Sequence, residues 1–214
     1  MDRLKNPFGY GMSLIVILGG VLLLTHEKGH FVLLLNENHG RILDVFFRYI
    51  TFLGDGLIIV PLFVGTFIYR YYHGIVTLIT GGFVLLFSQG LKKTIFSGWP
   101  RPTAYFDVPV EFNFVENVEV HSYNTFPSGH TMTAFAVFFL LALVVQRKNM
   151  YVLFFLISCL VGMSRVYLLQ HFFVDIYFGS ILGILSVLLG IFVTDKIIGD
   201  KNLVLFRNRS IIER

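Results

Sequence analysis

Apolar residues in this 214-residue chain gather into long blocks, parted by short polar stretches. The blocks run from about Pro7 to Thr25, Thr51 to Tyr72, Gly74 to Gly90, Gly129 to Gln146, Asn149 to Met163 and Phe172 to Thr194. A helix crossing a bilayer needs about 20 apolar residues, with a range of about 17–25. The pattern therefore predicts an all-α, polytopic membrane protein with six transmembrane helices, forming a single domain over residues 1–214. The opening Asp2, Arg3 and Lys5 before an apolar run also fit a signal peptide, but no small-x-small site follows Leu24, so the run is read as a retained span.

Two connections carry patterns of their own. Ile42, Leu43, Phe46, Phe47 and Ile50 recur at helical spacing, with Arg41, Asp44, Arg48 and Thr51 opposite them. This predicts an amphipathic helix lying in the outer interface. The longest polar stretch, 103–126, alternates Val108, Val110, Phe112 and Phe114, then Val118 and Val120, with polar neighbours. That alternation predicts a short hairpin in an extracytoplasmic loop.

Composition agrees with the pattern. Hydrophobic residues make up 55% and charged residues 14% of the chain, against about 25% charged for a soluble domain. The one cysteine, Cys159, lies in an apolar block and reads as a small buried hydrophobe. The basic residues set an orientation. With the N-terminus cytoplasmic, Arg3, Lys5, Arg70, Arg147, Lys148, Lys196, Lys201, Arg207, Arg209 and Arg214 fall inside. Lys28, Arg41, Arg48, Lys92, Lys93, Arg101 and Arg165 fall outside, and four of these belong to the polar clusters described next. Both termini are therefore expected in the cytoplasm.

Three polar clusters fall at the outer ends of the spans: Lys92-Lys93 with Arg101-Pro102, Pro127-Ser128-Gly129-His130, and Ser164-Arg165 with His171 and Asp175. Each suits a phosphate ester. Ser128 and Gly129 open a helix, whose unpaired N–H groups and positive dipole end attract anions. Arg101 and Arg165 offer planar forks to phosphate oxygens, and a lysine adds a point charge. Of His130 and His171, one can attack phosphorus while the other protonates the leaving oxygen. His171 and Asp175 stand four apart, so the carboxylate can fix the imidazole tautomer.

At these residues the chain resembles the type 2 phosphatidic acid phosphatase superfamily, whose signatures are shared with haloperoxidases. Pro127-Ser128-Gly129-His130 is similar to its second signature, and Ser164-Arg165, His171 and Asp175 to its third. In the first signature six residues separate a lysine from Arg-Pro. Here Lys93 stands one residue too far from Arg101 and Lys92 two. The signatures cover 92–175. The resemblance implies His171 as nucleophile, Asp175 as its orienting partner, His130 as general acid, and Lys93, Arg101, Ser128, Gly129 and Arg165 as phosphate-binding groups. It further implies metal-independent chemistry without a cofactor. The expected activity is hydrolysis of a lipid phosphate mono- or diphosphate ester, through a phosphohistidine, on the extracytoplasmic face of a bacterial inner membrane. Candidate substrates are a polyprenyl diphosphate, phosphatidylglycerol phosphate or a lipid A phosphate; the other partners are membrane lipids, and nucleic acid is not among them.

Two alternatives share the scaffold: a lipid phosphotransferase using the same intermediate, and a non-catalytic transporter. The remaining polar residues read more plainly. His26, His30, His39 and His73 are solvated flanks, Glu27-Lys28 is an ordinary flank, His121 is set aside, and Trp99 and Tyr105 are interfacial aromatics. Asp107, Glu111, Glu116 and Glu119 mark the loop in which substrate choice is expected to lie.

Overall fold

The computed structural model describes residues 2–106 and 111–198. Its longer helices are α1 (Pro7–Thr25), α2 (His30–Glu37), α3 (Arg41–Ile50), α4 (Ile59–Tyr69), α5 (Tyr71–Lys93), the single turn α6 (Pro102–Tyr105), α7 (Gly129–Val145), α8 (Lys148–Tyr167) and α9 (Phe173–Ile198). Four of them, α1, α5, α8 and α9, are long and apolar enough to cross a membrane. A fifth span results if Arg41–Gly54 and Gly56–Tyr69, bent by 51°, are counted as one. Helix α7 is apolar but shorter, at 17 residues.

α7 lies at the centre. Its sequence has no polar face, and a helix apolar all round belongs in an interior. Residues 131–140 are buried without interruption, with α8 and α9 packed alongside and α5 beyond. Ala134, Ala136 and Ala142 keep its surface low. α9 comes close to it through glycine: a Cβ at Gly183 would sit 2.5 Å from the Met132 carbonyl oxygen, and one at Gly179 2.9 Å from that of Ser128. On the other flank Phe8 of α1 packs against Phe135, Phe139 and Phe155. The outward faces carry Ile17 and Val21 of α1, Val64 and Ile68 of α4, Leu78 and Leu85 of α5, Leu153 and Leu156 of α8, and Phe192 of α9, all exposed. Apolar exposure on this scale requires a membrane. The chain is a multi-pass membrane protein.

The expected hairpin is absent, since no strand occurs among the described residues and one isolated bridge pairs Pro100 with Tyr123. Phe112 instead packs on the rings of Phe106 and Phe114, and Phe114 itself stays exposed. Asp107, Val108 and Val110 lie outside the described residues, as do Lys201, Arg207, Arg209 and Arg214. The fifth apolar block also extends farther than expected, because α8 continues to Tyr167 and carries Ser164 and Arg165 in its last turns. The expected amphipathic helix is present as α3.

Candidate active site

Where α5, α7 and α8 end, a cavity of about 360 Å³ opens between them and the Arg41–Tyr69 break. Lys92, Arg101, Gly129, His130, Arg165 and His171 line it, together with Thr51, Asp55, Gln89 and Gln170. Three polar clusters far apart in sequence thus meet in one space.

The turn between α8 and α9 accomplishes part of this. Leu169 adopts a left-handed conformation, φ +57°, which a non-glycine residue takes at a cost of about 1–3 kcal/mol. The chain then folds back so that the N–H groups of Gln170 and His171 both donate to the Arg165 carbonyl, at 2.9 and 3.0 Å. Arg165 and His171 consequently face the same cavity.

Behind His171 stands a buried polar group. Its Nδ1 lies 3.4 Å from Asp175 Oδ2, leaving Nε2 for the cavity. The Phe172 N–H donates to the same carboxylate oxygen at 2.8 Å, and the Thr125 hydroxyl donates to it as well. Thr125 Oγ1 is also 3.4 Å from His171 Nδ1. Burial, then the charges of Lys92, Arg101 and Arg165, hold His171 well below the usual histidine range. The imidazole is therefore a free base at neutral pH, with a lone pair to offer. Ser128 is fully buried, and its Oγ accepts from the Thr131 hydroxyl at 2.9 Å as the N-cap of α7. Its backbone N–H donates to the Asp175 carbonyl at 3.1 Å, tying α7 to α9. Ser128 and Asp175 thus stand behind the cavity wall.

The cations are held in place. Arg101 donates from Nε to the Tyr123 carbonyl at 2.9 Å, and from Nη1 to both the carbonyl and Oε1 of Gln170 at 2.9 and 2.8 Å. Arg165 Nη1 donates to Thr51 Oγ1 at 2.7 Å, while its buried Nε has no hydrogen-bond partner. A buried guanidinium N–H of this kind is a donor to which an anion could bind. Of the two lysines the expectation chose Lys93; the structure places Lys92 on the wall and leaves Lys93 exposed. The cause is helical geometry. Neighbouring residues of a helix point about 100° apart, so only one of the two lysines can face the cavity.

Thr51, Thr125 and Gln170 escaped the sequence reading. Each is an ordinary polar residue at no distinctive spacing, so only the fold reveals its partner. His121, set aside on sequence grounds, lines the outer cavity beside Glu119, with Nδ1 3.8 Å from Oε1.

Residues 71–197 match the family model described as the PAP2 superfamily. The chain is 33% identical over 150 residues to phosphatidylglycerophosphatase B of Bacillus subtilis, covering 64% of this chain and 68% of that protein. Its fold is similar to the crystal structure of Aquifex aeolicus LpxE, with a TM-score of 0.66 and 25% identity over 76% of this chain and 93% of that one. It is also similar to a transmembrane PAP2-type phosphatidylglycerolphosphate phosphatase from Bacillus subtilis, with a TM-score of 0.58 and 25% identity over 92% and 98% of the two chains. The chain belongs to the PAP2 superfamily, among its membrane-embedded lipid phosphatases.

Proposed function

We propose that the protein hydrolyses a lipid phosphate ester at the extracytoplasmic face through a phosphohistidine at His171. The observation that carries this reading is the convergence of His171, His130 and three cations on one cavity, with Nδ1 of His171 turned to Asp175. In the first step His171 Nε2 attacks phosphorus and the P–O bond to the lipid breaks, while His130 supplies the proton that the departing alkoxide needs. In the second step water attacks the phosphorus, the P–N bond breaks, and His130 takes the water's proton. Lys92, Arg101, Arg165 and the first N–H groups of α7 at Gly129 stabilise the charge on the equatorial oxygens. This chemistry calls for no metal or cofactor.

Counting the bent pair as one span and α7 as another gives six spans over one domain, with the polar cavity at their extracytoplasmic ends and both termini inside. A second, mostly apolar cleft of about 660 Å³ supports lateral entry of the substrate. It lies between α4 and α5, lined by Leu57, Val60, Leu78 and Leu85, and shares Asp55, Gln89, Gly129 and His130 with the polar cavity. A tail can stay in the membrane there while the phosphate reaches His171. Phosphatidylglycerol phosphate, the substrate that two of the relatives' names carry, fits this division, as do a lipid A phosphate and a polyprenyl diphosphate.

The test is acid-quenched labelling with a ³²P-phosphorylated lipid. Wild-type protein should trap an acid-labile phosphoprotein and release inorganic phosphate. His171→Ala should do neither. His130→Ala should form the intermediate slowly, most of all with poor leaving groups. A phosphoprotein formed at the normal rate in His171→Ala would remove His171 as nucleophile, and transfer to an added lipid acceptor in preference to water would make the enzyme a phosphotransferase.

A further inference from the structure

The connection between α1 and α2 reads as an ordinary polar flank, yet the structure lays it across the active-site loops. Gly29 is buried, with space for a Cβ closed off at 2.6 Å by the Phe106 ring. The preceding residue, Lys28, is only partly exposed and places its Nζ against three aromatic rings. The ammonium is 4.4 Å from the Phe172 ring centroid, 4.8 Å from that of Tyr105 and 5.7 Å from that of Trp99. These rings come from the segments that carry the chemistry. Trp99 and Tyr105 flank Arg101, and Phe172 follows His171 directly. Phe172 is fully buried, and its backbone N–H holds the Asp175 carboxylate at 2.8 Å. The Tyr105 ring meets the Phe172 ring edge-on, at 5.0 Å between centroids.

A cation among aromatic faces is attracted to all of them, and more strongly when water is excluded. Here one cation bridges three rings on two loops. Trp99 and Phe172 lie outside regular secondary structure, and Tyr105 ends the single turn α6. We propose that Lys28 is a positioning residue: seated among Phe172, Tyr105 and Trp99, it locks the His171 loop to the Arg101 loop and holds nucleophile and phosphate site in register. Lys28 does not line the cavity and acts through Phe172 and the Arg101 loop. The proposal rests on the phosphatase reading for its activity readout, but its structural readout is independent.

Trp99 is the only tryptophan in the chain, so its fluorescence reports on this seat without substrate. Lys28→Met keeps the aliphatic stem and removes the cation; Lys28→Arg restores a cation. In Lys28→Met, acrylamide quenching of Trp99 should increase, and kcat for phosphate release should fall roughly ten- to a hundredfold, the scale of a misplaced reacting group, with KM changed less than about threefold. Lys28→Arg should bring both readouts back towards wild type. A wild-type kcat in Lys28→Met, a fall that Arg does not rescue, or a change confined to KM would overturn the proposal. If Lys28→Met does not fold, Tyr105→Leu removes one wall of the seat and carries the same test, with the same fall in kcat expected and a wild-type kcat counting against it. Failure of the wild type to release phosphate from any lipid phosphate would instead overturn the function proposed above, and the quenching comparison would still decide the role of Lys28.

Discussion

One residue step along α5 separates a lysine on the cavity wall from an exposed one. Lys92 shares that cavity with Arg101 and Arg165, so on the proposed reading its ammonium, and not that of Lys93, meets the phosphate. Charge-assisted hydrogen bonds of this kind contribute about 1.5–3 kcal/mol, which sets the scale of the expected loss. Lys92→Met should lower kcat/KM by roughly ten- to a hundredfold, and Lys93→Met, a surface change, should stay within about 0.5 kcal/mol of wild type. Steady-state phosphate release by the purified variants measures both. The same residues mark the limit of what a sequence alone conveys. His130, Arg165, His171 and Asp175 were legible because their fixed spacing serves one kind of chemistry. Choosing between adjacent lysines needed the phase of a helix whose end the apolar run does not define. Thr125, which donates to Asp175, and Thr51, which receives Arg165, become partners only through chain crossings of 50 and 114 residues.

Among the elements, the α7–α9 contact shows how the helices were legible and their packing was not. Uninterrupted apolar runs gave the helices because a bilayer leaves a spanning backbone little else to form. The expected hairpin failed because alternation in a loop also arises when aromatic side chains turn towards a shared cluster, as Phe106, Phe112 and Phe114 do. Which glycines of α9 meet another helix is set by the packing against α7 and not by any local pattern. Gly183→Ala would set a methyl group 2.5 Å from the Met132 carbonyl oxygen, where backbone cannot easily yield. Overpacking of this kind costs about 1–3 kcal/mol, so its thermal unfolding midpoint in detergent should fall. Gly65→Ala in α4, where nothing lies within 4 Å of the new methyl, should leave that midpoint unchanged or raise it slightly.

For the molecule as a whole, orientation decides which leaflet supplies the substrate. In a Cys159→Ser background, a cysteine at the exposed Ala104 should react with a membrane-impermeant thiol reagent on intact cells. One at the exposed Asn149, in the first turn of α8, should not. The opposite labelling would turn the protein over and assign it the cytoplasmic leaflet. Helix α7 adds a consequence of its length. Its 17 residues rise about 1.5 Å each, some 25 Å in all, against a hydrocarbon core of about 30 Å. Its neighbour α9, with 26 residues, has length to spare. On the six-span reading the short helix is walled from lipid by its neighbours, so no bilayer need thin around it and it can lie recessed from the outer surface. Since His130 sits at the start of that helix, the missing length becomes the depth to which a phosphate must descend to react, fixed by the protein and not by the lipids around it.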